Sequence, residues 1–187
     1  MPSSFTHAFV GGAIGKMYSE QISTRRIILV SIFLSVMPDF DVVGDWLGAA
    51  PESMFAHRGI THSLLFAAIV SAIVPRLVAR RVEWFSPLWW RLYSCFIISI
   101  SSHAILDMFN YGNLGVALFA PFDDTRYFFP IRLIVDAPRV EYFIQWRTLY
   151  ALVWEVSIVW VPLALYTWRK EIMSWMTGVF VRTDFAS

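Results

Sequence analysis

The sequence predicts an all-α protein built for a membrane, a bundle of about four to six helices. Three observations carry that expectation. Of 187 residues, 57% are hydrophobic and 17% aromatic, with a mean hydropathy of +0.57, above the apolar-to-charged balance of soluble domains. Three stretches carry little or no formal charge, and each approaches the ~20 residues that a bilayer core requires. Tryptophan and tyrosine gather along them, as interfacial anchors do. Neither a Gly/Ser/Pro-rich linker nor a composition shift divides the chain, so residues 1–187 read as one membrane-embedded domain.

The N-terminus shows no cleavable signal pattern, because the first positive charge is Lys16 and His7, Gly11 and Gly12 interrupt the apolar stretch. It is expected to remain in the mature protein. Two helices follow, about Phe5 to Tyr18 and about Thr24 to Met37, each nearer ~14 residues and suited to buried, re-entrant or tilted placement as well as to crossing. Pro38 is expected to end the second at Met37, since the residue before a proline avoids the helical region. From Thr61 to Pro75 there is no Lys, Arg, Asp or Glu, and this run extends to about Ala79 as a first span. A second span covers about Leu88 to Phe109 and opens with Trp89, Trp90 and Tyr93, the composition of an interfacial belt. Residues 110–147 mix aromatics, Gly, Pro and charge, and read as an interfacial loop with a short amphipathic piece. The last span, about Thr148 to Trp168, has Glu155 as its only charge.

Charge orients the bundle. Lys16, Arg25 and Arg26, then Arg76, Arg80, Arg81 and Arg91, then Arg169 and Lys170 all fall at one end of an up-and-down arrangement, which the positive-inside rule makes cytoplasmic. The opposite, extracytoplasmic end receives His7, Asp39, Asp41, Asp45, His57, His62, His103 and Asp107. The expectation is a multi-pass protein of the inner (plasma) membrane with its polar chemistry outside. A net charge of +1 without a basic run gives no footprint for nucleic acid. Cys95 is the sole cysteine, so any metal must be held by nitrogen and oxygen.

Four segments concentrate the reactive side chains: T-H at Thr6 and His7, P-D-F-D at Pro38 to Asp41, H-R-G-I-T-H-S at His57 to Ser63, and H-A-I-L-D at His103 to Asp107. Every histidine lies in one of them. His103 and Asp107 are four apart, so on a helix they share a face and can grip one ion. One such histidine alone is as readily a hydrogen-bonded core residue, but ionisable groups at the edge of a span default to function. The expected ligands are His7, Asp39, Asp41, His57, His62, His103 and Asp107, which place a metal site at one membrane interface. Imidazole and carboxylate without sulfur suit zinc first and manganese second. Seven candidates exceed the three protein ligands typical of one catalytic zinc, so one or two ions fit, with some of the seven orienting the rest.

These segments, together with S-V-M-P-D-F-D, H-R-G-I-T-H-S-L-L-F, H-A-I-L-D-M-F-N-Y-G, A-P-F-D-D-T-R-Y-F-F and I-V-D-A-P ending at Pro138, resemble the YdjM-like family of LexA-regulated inner-membrane metal-dependent hydrolases. That family is distantly similar to the zinc-dependent phospholipase C and P1 nuclease group, all-helical enzymes that cleave phosphodiesters. The resemblance implies metal-dependent hydrolysis. Two positions depart from the family pattern: Asn110 stands where Thr is expected in D-x-x-T-x-Y-G, and Ala137 separates Asp136 from Pro138.

Around the ligands, Asp41, Arg58 and Asp107 are the expected catalytic residues, and Arg58, Tyr111 and Arg126 the expected substrate contacts. A guanidinium can clamp phosphate or carboxylate in two parallel hydrogen bonds, or pair with a nearby aspartate. Thr61 is a candidate helix cap. Glu155 is either a supporting base or ligand, or a buried structural hydrogen-bonding group. Asp123, Asp124, Asp136 and Arg139 read as loop charges. The leading function is a membrane-bound hydrolase acting on a phosphoester of a lipid or lipid-linked substrate through metal-activated water. The alternatives are a metal transporter or sensor, and a structural protein whose helices a metal staples.

Overall fold

A computed structural model describes residues 2–19, 24–79, 81–111, 115–135 and 146–183. The expectations for Arg80, Asp136, Pro138 and Arg139 fall outside these residues. Helices α1 (Ser4–Ser19) and α2 (Thr24–Val36) form an antiparallel pair, and α2 runs on through a 3-10 turn at Met37–Asp41 into α3 (Val42–Trp46). A further 3-10 turn, Ile60–His62, leads to α4 (Leu64–Val78), and α5 follows at Pro87–Met108. The last helical run comprises α6 (Trp146–Glu155), a π-turn at Val156–Trp160 and α7 (Val161–Thr167), and α8 (Arg169–Thr183) completes the order. Among the described residues the only strand-like pairings are isolated bridges, Asn110 with Ile134 and Val116 with Tyr127.

Helix α2 ends at Val36, one residue short of the expected limit at Met37, but Pro38 does not end the helical run. A proline lacks only its own N–H and fixes φ, both harmless in the first turn of a new helical segment, and Pro38 occupies that place in the 3-10 turn. The result is a continuous 22-residue run, Arg25–Trp46, with mean hydropathy 1.9. With Trp146–Thr167, also 22 residues at 1.7, it makes two runs long and apolar enough to cross a membrane by length and composition. The span expected from Thr61 is shorter: α4 has 15 residues, because Ser63 caps it by accepting from Phe66 N–H. Thr61, the expected cap, donates instead to Asp41. Likewise α5 begins where Ser86 accepts from Trp89 N–H with Pro87 next to it. Trp89 is no surface anchor: it is buried, and its indole donates to Ala72 O at 3.2 Å, tying α5 to α4. Residues 115–135 form no amphipathic helix.

Small residues set the closest contact in the bundle. A Cβ at Gly11 would overlap Ser35 Oγ, and one at Gly15 would lie 2.8 Å from Ile28 Cα, so α1 and α2 approach as only small residues allow. Val10, Ile14, Ile27, Leu34, Leu92, Phe96 and Ile100 fill the core beside this seam, while Leu29, Phe33, Ile69, Leu77 and Leu165 point outward. The basic end closes on backbone. Arg26 reaches Val78 O at 3.1 Å, Arg76 reaches Val82 O at 2.8 Å, Arg91 reaches Tyr18 O at 3.4 Å, and Lys16 pairs with Glu171 at 2.8 Å. The start of α1, the end of α2, the turn before α4 and the end of α5 therefore meet at the opposite end.

Candidate metal centre

All seven expected ligands converge there. Six are delivered in pairs by local structure: Asp39 and Asp41 by the 3-10 turn after α2, His57 and His62 by the turns before α4, and His103 and Asp107 by one face of α5, a turn apart. His7 comes alone from the first turns of α1. Two groups of side chains offer ligand atoms that all lie within 4.8 Å of one another, His7 with His103 and Asp107, and Asp39 with His57 and His62. The groups abut. His103 Nε2 is 3.2 Å from Asp39 Oδ1, and His62 Nε2 is 3.8 Å from Asp107 Oδ2.

The imidazoles are held by their Nδ1 atoms. His103 Nδ1 donates to Ser35 O at 2.7 Å, His57 Nδ1 to Asp41 Oδ1 at 2.6 Å, and His62 Nδ1 lies 3.1 Å from both Asp41 Oδ2 and Thr61 Oγ1. Carbonyl and carboxylate oxygens only accept, so Nδ1 of His57 and His103 carries a proton, and Nε2 of all three rings faces inward. His7 differs. Its ring has no hydrogen bond and is stacked on His103 with centroids 3.7 Å apart, its Nε2 3.6 Å from Asp107 Oδ1.

Asp41 thus takes the orienting part that the sequence left open among the seven. It also accepts from Thr61 Oγ1 at 2.6 Å and Arg58 N–H at 3.0 Å, so three hydrogen-bond donors converge on one carboxylate, with His62 Nδ1 beside them. Its oxygens orient two ligand rings, and the second group is completed by Asp39 instead. Arg58 takes the ion-pair alternative: Nε donates to Asp107 Oδ2 at 2.6 Å, both side chains being buried. Arg126 is a tie between loops, its guanidinium donating to Pro51, Ser53, His57 and Gly115 carbonyls, which leaves it no clamp for a phosphate. Tyr111 is exposed just beyond α5. Ser35, whose carbonyl fixes His103, went unread in the sequence, and Asp45, placed at this end but given no role, accepts from His57 N–H at 3.0 Å. Ser35 lies four residues before Asp39, the spacing that shares a helix face, and that spacing was the available signal.

Whether these residues fit a metal is decided by their buried polar atoms. His7 Nδ1 and Nε2, both oxygens of Asp39, and Nε2 of His57, His62 and His103 are buried without a hydrogen-bond partner. Each such atom costs of order 1–3 kcal/mol unless something satisfies it, and they are gathered in one place. Lone pairs of nitrogen and oxygen facing each other, without sulfur, are the donor set of zinc or manganese. The residues fit.

A sequence profile of the YdjM inner membrane protein family matches residues 1–173, a range that includes every candidate ligand. The chain belongs to the YdjM family. It is also 32% identical over 178 residues to inner membrane protein YbcI of Escherichia coli (strain K12), covering 91% of this chain and 100% of that protein. Membership in the YdjM family places the protein in the inner membrane. No solved structure matches the chain.

Proposed function

We propose that this YdjM-family protein is a membrane-bound metal-dependent hydrolase that cleaves a phosphoester of a lipid or lipid-linked molecule. One observation carries the reading: the inward-facing, hydrogen-bond-free lone pairs of His7, Asp39, His57, His62 and His103, set in two abutting groups. His7, His103 and Asp107 would hold one divalent ion, and Asp39, His57 and His62 a second, zinc before manganese. Ions so placed supply Lewis acidity and a water whose pKa falls toward ~7.

The protein's own groups do the rest. Asp41 and Ser35 hold three rings with Nε2 inward. Asp39 has two oxygens outside any hydrogen bond, one for ligation and one to take a proton from water. Arg58 sets a positive charge against Asp107, beside the place where charge grows on a phosphoryl group. Reactants enter on the side of His57 and Asp39, whose side chains are 20% and 11% exposed while those of His7, His62, His103 and Asp107 are 0%. Trp46, Leu47 and Phe55, exposed on the segment between Asp45 and His57, border that side with apolar surface suited to acyl chains. The H-E-x-x-H pattern of many zinc peptidases is absent from the sequence, which favours phosphoester over peptide cleavage.

Purified protein is expected to carry zinc or manganese by elemental analysis, and to release phosphate or headgroup from a phospholipid and lipid-diphosphate panel in mixed vesicles. Chelation should abolish that release. Metal-loaded protein that spares every phosphoester but hydrolyses peptides or acyl esters would remove the substrate assignment, and protein without stoichiometric metal would remove the whole reading.

We also propose a multi-pass topology with the metal centre on the extracytoplasmic side, because the basic residues meet at the other end. Cys95 is buried, so single cysteines can report sidedness. In oriented vesicles Glu52→Cys should react with an impermeant maleimide from the outside and Glu83→Cys from the cytoplasmic side. The reverse pattern refutes this orientation.

A further inference from the structure

Glu155 is fully buried at the end of α6, immediately before the π-turn, and the chemistry above makes no use of it. A buried ionisable group in an apolar run is costly and calls for a role. Its partners all lie at the start of α1. Ser3 N–H donates to Oε1 at 2.9 Å, Ser3 Oγ donates to Oε2 at 2.5 Å, and Thr6 Oγ1 donates to Oε2. Ser3 Oγ in turn accepts from Thr6 N–H at 3.3 Å.

This is a capping box assembled from two helices. In the usual box, the residue three places after the N-cap is Glu or Gln and reaches back to the N-cap N–H. Here that residue is Thr6, too short to do so, and the carboxylate arrives from 152 residues away in the chain. Its negative charge also lies at the positive end of the α1 dipole. Trp160, at the end of the π-turn, donates to Thr6 Oγ1 at 2.8 Å and stacks on Phe9 with centroids 4.5 Å apart. An extra residue per turn re-aims the side chains that follow, and π-turns recur at functional sites for that reason.

The next residue after Thr6 is His7, the one candidate imidazole without a hydrogen bond at either ring nitrogen. His57, His62 and His103 are aimed through their rings. His7 is aimed through its backbone, held by Ser35 Oγ on His7 O at 2.8 Å and by the anchored first turn of α1. We propose that Glu155 is a positioning residue: by completing the N-terminal cap of α1 from the last apolar run, it fixes His7 and so governs metal affinity at the His7, His103 and Asp107 group. The inference rests on the metal reading of the site.

The test is metal titration of the full-length protein in detergent, with zinc as the probe. Wild type should bind two equivalents. Glu155→Gln keeps the size of the side chain but offers one acceptor oxygen where three donors converge. It should retain one equivalent and weaken the other by about 10- to 100-fold, the range found when support for a ligand imidazole is lost. Thr6→Val, which keeps the shape and deletes the hydroxyl, should reproduce the split, and Thr6→Ser should restore two equal equivalents. A purely structural role would lower the unfolding temperature of the metal-free protein without separating the two equivalents. Two unchanged equivalents in both Glu155→Gln and Thr6→Val, or equal weakening of both equivalents in them, overturns the inference. A wild type that binds no zinc refutes the metal reading instead.

Discussion

Asp41→Asn is expected to weaken zinc binding at the Asp39, His57 and His62 group by about 10- to 100-fold while leaving the fold intact, the effect seen when an outer partner of a metal-bound imidazole is removed. The carboxylate accepts from His57 Nδ1, Thr61 Oγ1 and Arg58 N–H, and its Oδ2 lies 3.1 Å from His62 Nδ1. Asparagine has the same shape but one acceptor oxygen, and its amide would face ring N–H groups donor to donor. At least one ring must then move its proton to Nε2, the atom that is to ligate, or rotate out of line. Asp39→Asn, by contrast, changes a ligand and should abolish binding of that ion. Competition titration with a chelator of known affinity separates these outcomes, and Asp41→Asn within about twofold of wild type would show that Asp41 does not set the ring tautomers.

The helical bundle was legible because charge-poor apolar runs of bilayer length are local signals. Ends decided by tertiary contact were less so. Pro38 located the end of the α-helix to within one residue but not the 3-10 segment that follows, where as a first-turn residue it costs no hydrogen bond and the turn swings Asp39 and Asp41 onto the site. Trp89 has the composition of an interfacial anchor, but its indole finds Ala72 O inside the bundle. Helix α8 was not anticipated, since Arg169 and Lys170 were read only as a basic cluster after the last span and the amphipathic pattern beyond them is weak.

The candidate ligands were legible as a set because imidazoles and aspartates at an otherwise apolar end have few other uses. Their division of labour was not. Whether an aspartate ligates or orients depends on how many donors reach it, and Asp41 collects two of its donors from a turn 16 to 17 residues further along the chain. A backbone acceptor such as Ser35 O is marked only by its spacing from Asp39, not by its residue type. Arg126 fits a phosphate clamp by type, but the carbonyls that take up its guanidinium are known only once the 51–57 and 115–127 segments are folded together.

Arg58→Ala is expected to destabilise the metal-free protein by about 3–5 kcal/mol, the range found when one partner of a buried ion pair is deleted. Arg58 Nε donates to Asp107 Oδ2 at 2.6 Å, and Asp107 is fully buried, so removing the cation strands a carboxylate charge in an apolar bundle. The backbone contributes separately. Arg58 has φ 68°, the left-handed region, held there by its N–H on Asp41 and its carbonyl accepting from Ala117 N–H at 3.0 Å. Alanine keeps that strain and glycine relieves it, so Arg58→Gly should be about 1 kcal/mol more stable than Arg58→Ala while still far below wild type. Saturating zinc should recover part of the loss in both variants, because ions bound by the folded state alone stabilise it and offset the charge of Asp107. Chemical unfolding in detergent, with chelator and then with zinc, measures all three effects. If Arg58→Ala unfolds like wild type without metal, the ion pair with Asp107 is not structural, and the guanidinium is kept for substrate alone.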